Sequence, residues 1–68
     1  MKIIELYNSA TYFKENWAIL WNKGIKRVYW RNTWTGEEKD IGTTNSLAHA
    51  KEIKNIFVEG AIELGLAN

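Results

Sequence analysis

The sequence predicts an α+β domain: a three-stranded antiparallel β-meander packed against a C-terminal α-helix, with a short N-terminal helix or strand. Two turn signals, Asn22-Lys23-Gly24 and Asn32-Thr33-Trp34-Thr35-Gly36, divide residues 16–42 into three stretches of strand length. The first two stretches are dense in β-branched and aromatic side chains, which suit a pleated, half-buried surface. Beyond Gly42 the apolar spacing changes from two residues to three and four and holds to Leu64, the period of an amphipathic helix across 45–64. With 68 residues, no proline and no internal repeat, a single domain over 1–68 accounts for the chain.

Residues 1–14 read two ways. Lys2-Ile3-Ile4-Glu5-Leu6-Tyr7 has the composition of a short strand, yet Ile3, Leu6 and Tyr7 also fall on one face of a helix. Asn8-Ser9 is a cap signal, so helix over some part of 3–15 is the favoured expectation, with residues 9–14 forming a short helix that ends near Asn16.

From Trp17 the pattern sharpens. With Lys23 and Gly24 as a two-residue loop, Trp21 pairs with Lys26, Ile19 with Val28 and Trp17 with Trp30. Trp17, Ile19, Val28 and Trp30 then share one face, while Ala18, Leu20, Arg27, Tyr29 and Arg31 share the other. A slip of one residue would mix the two sets, so the pattern specifies the faces. In the second turn Asn32 offers a side-chain cap and Gly36 suits a left-handed bulge position. Arg31 is expected opposite Glu38, Trp30 opposite Lys39, Tyr29 opposite Asp40 and Val28 opposite Ile41, which adds Ile41 to the core face. Thr44 or Asn45 is the expected N-cap of the helix and Gly65 its stop. Ala50, Ile53, Phe57, Ala61 and Leu64, flanked by Leu47 and Ile56, form the stripe that docks on the sheet. Gly60 marks either close packing or a break.

Composition narrows the functional classes. There is no cysteine, which removes disulfides, thiolate metal sites and thiol nucleophiles. The one histidine, His49, excludes a His-rich metal site within a chain and, standing alone on the helix, makes a poor catalytic base. No Ser-His-Asp or Cys-His arrangement and no Gly-rich phosphate loop is visible, and Glu37, Glu38 and Asp40 alternate between faces rather than converging. No enzyme, metal or cofactor is expected. No apolar run approaches the ~20 residues that span a bilayer. A cytoplasmic, non-membrane protein is the expectation. Nine basic and eight acidic side chains leave a charge of +1, far from the balance of a protein that binds nucleic acid by charge alone.

Two surfaces carry the functional expectation. The outer sheet face alternates Arg27, Tyr29 and Arg31, with Lys23 and Lys26 before them and no acid from 23 to 31. Arginines beside an aromatic on a sheet suit nucleic acid, the ring stacking on a base and the cations meeting phosphates. The start of the helix, with Lys51 and Lys54 following, offers free N–H groups to a further phosphate. Cross-strand Glu38 and Asp40 offer the competing explanation that the arginines stabilise the sheet. The second surface is apolar: Trp34 at a turn tip, Trp21 at the end of the sheet, and Val58, Ile62 and Leu66 off the main helical stripe. Such a surface suits a protein partner, whether the target of a small phage-type inhibitor or a second copy in a homodimer.

The order of a short helix, three strands and a final helix resembles two nucleic-acid-binding architectures, the double-stranded RNA-binding domain and the arm-type DNA-binding domain of tyrosine integrases. The likeness lies in topology, together with the basic and aromatic strands and the helix start over 44–54. A double-stranded RNA-binding domain would carry a Lys-Lys pair near the start of its last helix, where this chain has Leu47-Ala48-His49-Ala50-Lys51. The resemblance implies nucleic-acid binding and assigns no residue a role. From the sequence, nucleic-acid binding therefore leads narrowly over a protein-interaction module.

Overall fold

The computed structural model describes residues 2–9 and 16–63, with the side chains of 62 and 63 left aside. Four strands, β1 (Ile3–Asn8), β2 (Trp17–Asn22), β3 (Arg27–Asn32) and β4 (Glu38–Thr43), form an antiparallel sheet in the order β1-β2-β3-β4. One helix, α1 (Leu47–Glu63), lies across one face. The α+β class and the C-terminal helix match expectation, but the sheet has four strands rather than three.

The extra strand is β1, where helix was favoured. The reason lies in a bulge. Ile4 pairs with Trp21 and Tyr7 with Ile19, so two residues three apart both face the core. A regular strand would send them to opposite faces; one inserted residue near Leu6 restores them to the same one. That spacing of three also imitates helical periodicity. The demand for β1 comes from β2, whose Trp17, Ala18 and Ile19 are all buried and whose outer backbone edge would otherwise be unpaired. Ser9, fully buried, closes the pair: its hydroxyl donates to the Trp17 carbonyl at 2.9 Å and accepts from the Trp17 N–H at 3.2 Å. The short helix expected beyond it, over 10–15, lies outside the described residues.

The β2–β3 hairpin keeps the expected faces and changes its register. Trp21 pairs with Val28, Ile19 with Trp30 and Trp17 with Asn32, two residues from the expected partners. An even shift preserves side-chain parity, so both face assignments stand. It also replaces the Trp21–Lys26 pair by Trp21–Val28, which keeps a lysine out of the core. The cost is a four-residue turn over 23–26. Asn22 Oδ1 accepts the Gly24 N–H at 3.0 Å, and Lys26, not glycine, takes the left-handed conformation at φ 61°.

The second hairpin matches expectation through Arg31–Glu38, Trp30–Lys39 and Tyr29–Asp40. Asn32 organises its turn. The side-chain oxygen accepts the N–H groups of Trp34 and Thr35 at 2.9 and 3.0 Å, the carbonyl accepts that of Gly36, and Gly36 sits at φ 78°. The register then slips, so Val28 faces Gly42 instead of Ile41. This second bulge brings glycine under the helix: a Cβ at position 42 would lie 2.9 Å from Ile53 Cδ1 and 3.2 Å from Cγ2. Ile41 still packs against the core.

Ser46 is the N-cap of α1, in place of Thr44 or Asn45. Its hydroxyl oxygen faces the His49 N–H at 3.4 Å and its carbonyl accepts from Ala50. Thr44 has other partners. Its N–H donates to the Lys26 carbonyl, its carbonyl accepts the Trp21 indole N–H at 2.9 Å, and its Oγ1 accepts the Ser46 N–H at 3.1 Å. The helix stripe is rotated from expectation. Ala50, Ile53, Phe57 and Ala61 pack inward as expected, and Val58 joins them, whereas Ile56 is 72% exposed. Near the far end of α1 the Phe57 ring meets Trp17 edge-on at 6.0 Å, and Trp17 meets Tyr7 at 5.4 Å. The helix end at Leu64 and the stop at Gly65 lie outside the described residues.

Gly60 marks neither close packing nor a break. The helix runs through it, and an added Cβ would meet nothing within 4 Å. Gly60→Ala is therefore expected to stabilise the protein by ~0.5–1 kcal/mol, since glycine in a helix interior carries that penalty against alanine. Urea denaturation followed by circular dichroism measures it; an unchanged or lowered midpoint would mean that the position needs its glycine.

Candidate functional site

Each surface suspected from the sequence can be rebuilt from its residues. On the outer face Arg27, Tyr29 and Arg31 do alternate along β3, because parity alone fixes their side. Tyr29, however, is 4% exposed, and the Arg27 guanidinium lies over its ring at 4.3 Å. Arg27 in turn hydrogen-bonds through Nε to Asp40 and through Nη1 to Glu38, the latter at 2.9 Å. The hydrogen bond to Asp40 and then that to Glu38 raise its pKa above the ordinary arginine value, so its charge is fixed and already matched. Arg27, Tyr29, Glu38 and Asp40 make a cross-strand cluster of the sheet-stabilising kind. A base cannot stack on a covered ring.

The remaining cations are spread out. Arg31 is exposed at the far end of β3, Lys51 is exposed and Lys54 half-buried on α1. Lys23 and Lys26 stand exposed on the β2–β3 turn, at the opposite end of β3 from Arg31. There the backbone brings in a third lysine that the sequence reading had not grouped with them. The Lys23 N–H donates to the Lys2 carbonyl at 2.8 Å, and the Lys2 side chain runs beside Gly24. The Lys26 carbonyl accepts from Thr44, two residues before the Ser46 cap, and the first turn of α1 contains no acid. Lys2, Lys23 and Lys26 therefore gather at the end of the sheet from which the helix starts.

The apolar candidates divide sharply. Trp21 is 4% exposed, with its indole N–H bonded to Thr44, so it belongs to the core and cannot offer a surface. Val58 packs against the same core. The Ile62 side chain and Leu66 lie outside the described residues. Trp34 is 85% exposed, and it stands on a turn that Asn32 caps and in which Gly36 takes the left-handed conformation.

Beside that turn lies a feature the sequence reading missed. A groove of about 300 Å³ opens between sheet and helix, lined among the described residues by Trp17, Trp30, Phe57 and Ala61, with Glu37 and Lys39 also in its wall. Beside it α1 places Ile53 over Gly42 of β4 and, one turn further on, Phe57 against Trp17 of β2. Among the described residues nothing closes the corner above Trp30, and Trp30 is only half-buried. A signal was available. Lys39 opposite Trp30 places a charged side chain on the core face of an edge strand, where it cannot fill the core.

His49 is exposed, and its Nδ1 lies 3.0 Å from Thr44 Oγ1, a contact that ties the helix start to the preceding loop. Among the described residues no three His, Cys, Asp or Glu side chains converge as metal ligands, and no helix is long and apolar enough to cross a membrane. Comparison with protein-family models, curated proteins and solved structures finds no match for this chain.

Proposed function

We propose that this chain is a non-enzymatic protein-interaction module that docks through Trp34 and the adjoining groove. The observation that carries the reading is the 85% exposure of a tryptophan on a turn capped by Asn32. Exposing an indole that has no packing role is unfavourable, and a capped turn leaves less backbone freedom to be lost when a partner covers it. Tryptophan is also the residue type most enriched among energetic hot spots, which sit in pockets shielded from water. The groove with Trp30 and Phe57 in its wall supplies such a setting on the same hairpin. The burial of Tyr29 and the pairing of Arg27 are what demote the outer sheet face.

The test is capture from a lysate of the source cells on immobilised protein, with wild type and Trp34→Ala compared at low and high salt. The wild type should retain a partner at both salt concentrations and the variant should lose it. Equal retention by both would remove Trp34 from the interface.

The cluster of Lys2, Lys23 and Lys26 favours a second reading, in which the β2–β3 turn meets the phosphates of a nucleic acid. Fluorescence anisotropy with single- and double-stranded oligonucleotides separates the two. Phosphate binding by three lysines weakens with salt by a log–log slope of about −2 to −3. Binding with that slope, abolished by Lys23→Ala with Lys26→Ala, would put this reading first.

A further inference from the structure

We propose that the occupant of the groove is Trp34 of a second copy of this chain, exchanged reciprocally across a two-fold axis beside the β3–β4 turn. The proposal rests on the reading that Trp34 docks into a protein, and it names the partner. A two-fold interface is self-complementary: if residue i meets residue j, then j meets i. The chain must therefore present both a projection and a matching recess on one patch. The β3–β4 hairpin does so. Trp34 projects from its tip, while Trp30 before the turn and Glu37 and Lys39 after it belong to the wall of the groove.

Chemistry and size agree with that occupant. The groove holds about 300 Å³ and carries Trp17, Trp30, Phe57 and Ala61, a largely apolar recess that suits one indole. Its two charged wall residues are of opposite sign and two positions apart, so both face the same side of the chain where β4 begins. Across a two-fold axis each Glu37 can meet the partner's Lys39 in both directions, and no unmatched charge is buried. A net charge of +1 per chain opposes association only weakly. Two indoles, each removing roughly 150–250 Å² from water, would supply the centre of the interface. A chain too small for a large core of its own gains stability by such pairing.

Sedimentation equilibrium of the full chain from micromolar to millimolar concentration at low salt tests this. The wild type should populate a dimer, and Trp34→Ala should weaken it by about tenfold or more. Glu37→Lys should also weaken it, and the double exchange Glu37→Lys with Lys39→Glu, which returns the net charge to +1, should restore it; Glu37→Gln with Lys39→Gln, which keeps +1 but removes the pair, should not dimerise like the wild type. All three positions are exposed, and circular-dichroism melts check that each variant keeps its fold. A monomer mass at every concentration, or a Trp34→Ala protein that dimerises like the wild type, overturns the proposal. A monomeric wild type that still needs Trp34 to retain a different protein would overturn the second copy and leave the docking reading standing. If Trp34→Ala retains that protein equally well, both fail.

Discussion

Trp21→Ala is expected to cost the fold about 3–5 kcal/mol, while Trp34→Ala should shift it by less than ~0.5 kcal/mol, although the two side chains are identical and only 13 positions apart in the sequence. The difference is environment. Trp21 lies between Ile4 and Val28 in the sheet, in the same buried cluster as Ala50 of the helix, and is almost fully removed from water. Truncating it leaves a cavity and frees the Thr44 carbonyl from its indole partner. A core this small supplies roughly 3–5 kcal/mol in all, so the variant should be largely unfolded at room temperature. Trp21→Phe keeps part of the aromatic packing but loses the hydrogen bond and leaves a smaller cavity, so its loss should fall between those of Trp21→Ala and Trp34→Ala, at about 1–3 kcal/mol. Urea titrations followed by far-ultraviolet circular dichroism, which does not depend on the tryptophan removed, measure all three. Similar midpoints for Trp21→Ala and Trp34→Ala would contradict the burial of Trp21.

The same pair of residues shows what was legible in the sequence. Alternation in β2 and β3 is a parity signal, so it assigned Trp17, Ile19, Val28 and Trp30 to the core and Arg27, Tyr29 and Arg31 to the outer face without knowledge of the register. Parity is blind to even shifts, and the hairpin used one. The exposed Trp34 was legible because Asn32 and Gly36 announce a turn around it. The occlusion of Tyr29 was not, since it depends on where the Arg27 side chain lies once Asp40 and Glu38 are beside it. Both bulges were hidden for a related reason: each inserts a residue where alternation supplies no reference. The groove is a property of how helix and sheet cross, which no linear pattern encodes.

Gly42→Ala should destabilise the protein by about 1–3 kcal/mol, and the loss should disappear when Ile53 is shortened. The strand itself tolerates alanine, because Gly42 has no positive φ; among the described glycines that belongs to Gly36. The obstacle is the helix. The added methyl would come within 2.9 Å of Ile53 Cδ1, which can swing away, and within 3.2 Å of Cγ2, which is fixed to a branched carbon in a helix and cannot. Either α1 lifts from β4 or the β4 bulge relaxes. Ile53→Val removes only the Cδ1 contact and should rescue in part. Ile53→Ala removes both, and in that background Gly42→Ala should become neutral or mildly stabilising, since alanine restricts the unfolded chain more than glycine does. A double-mutant cycle over positions 42 and 53 should thus give a coupling of about 1–3 kcal/mol. Equal losses in both backgrounds would mean that the glycine serves the bulge rather than the helix. Because the Ile53–Gly42 contact lies one turn from Phe57, which lines the groove, the single Gly42→Ala variant should also change what that groove can hold. Dimerisation measured on it would couple this contact to the docking surface: lifting α1 at Ile53 alters the angle at which Phe57 and Ala61 face Trp30, with no change to any residue lining the groove.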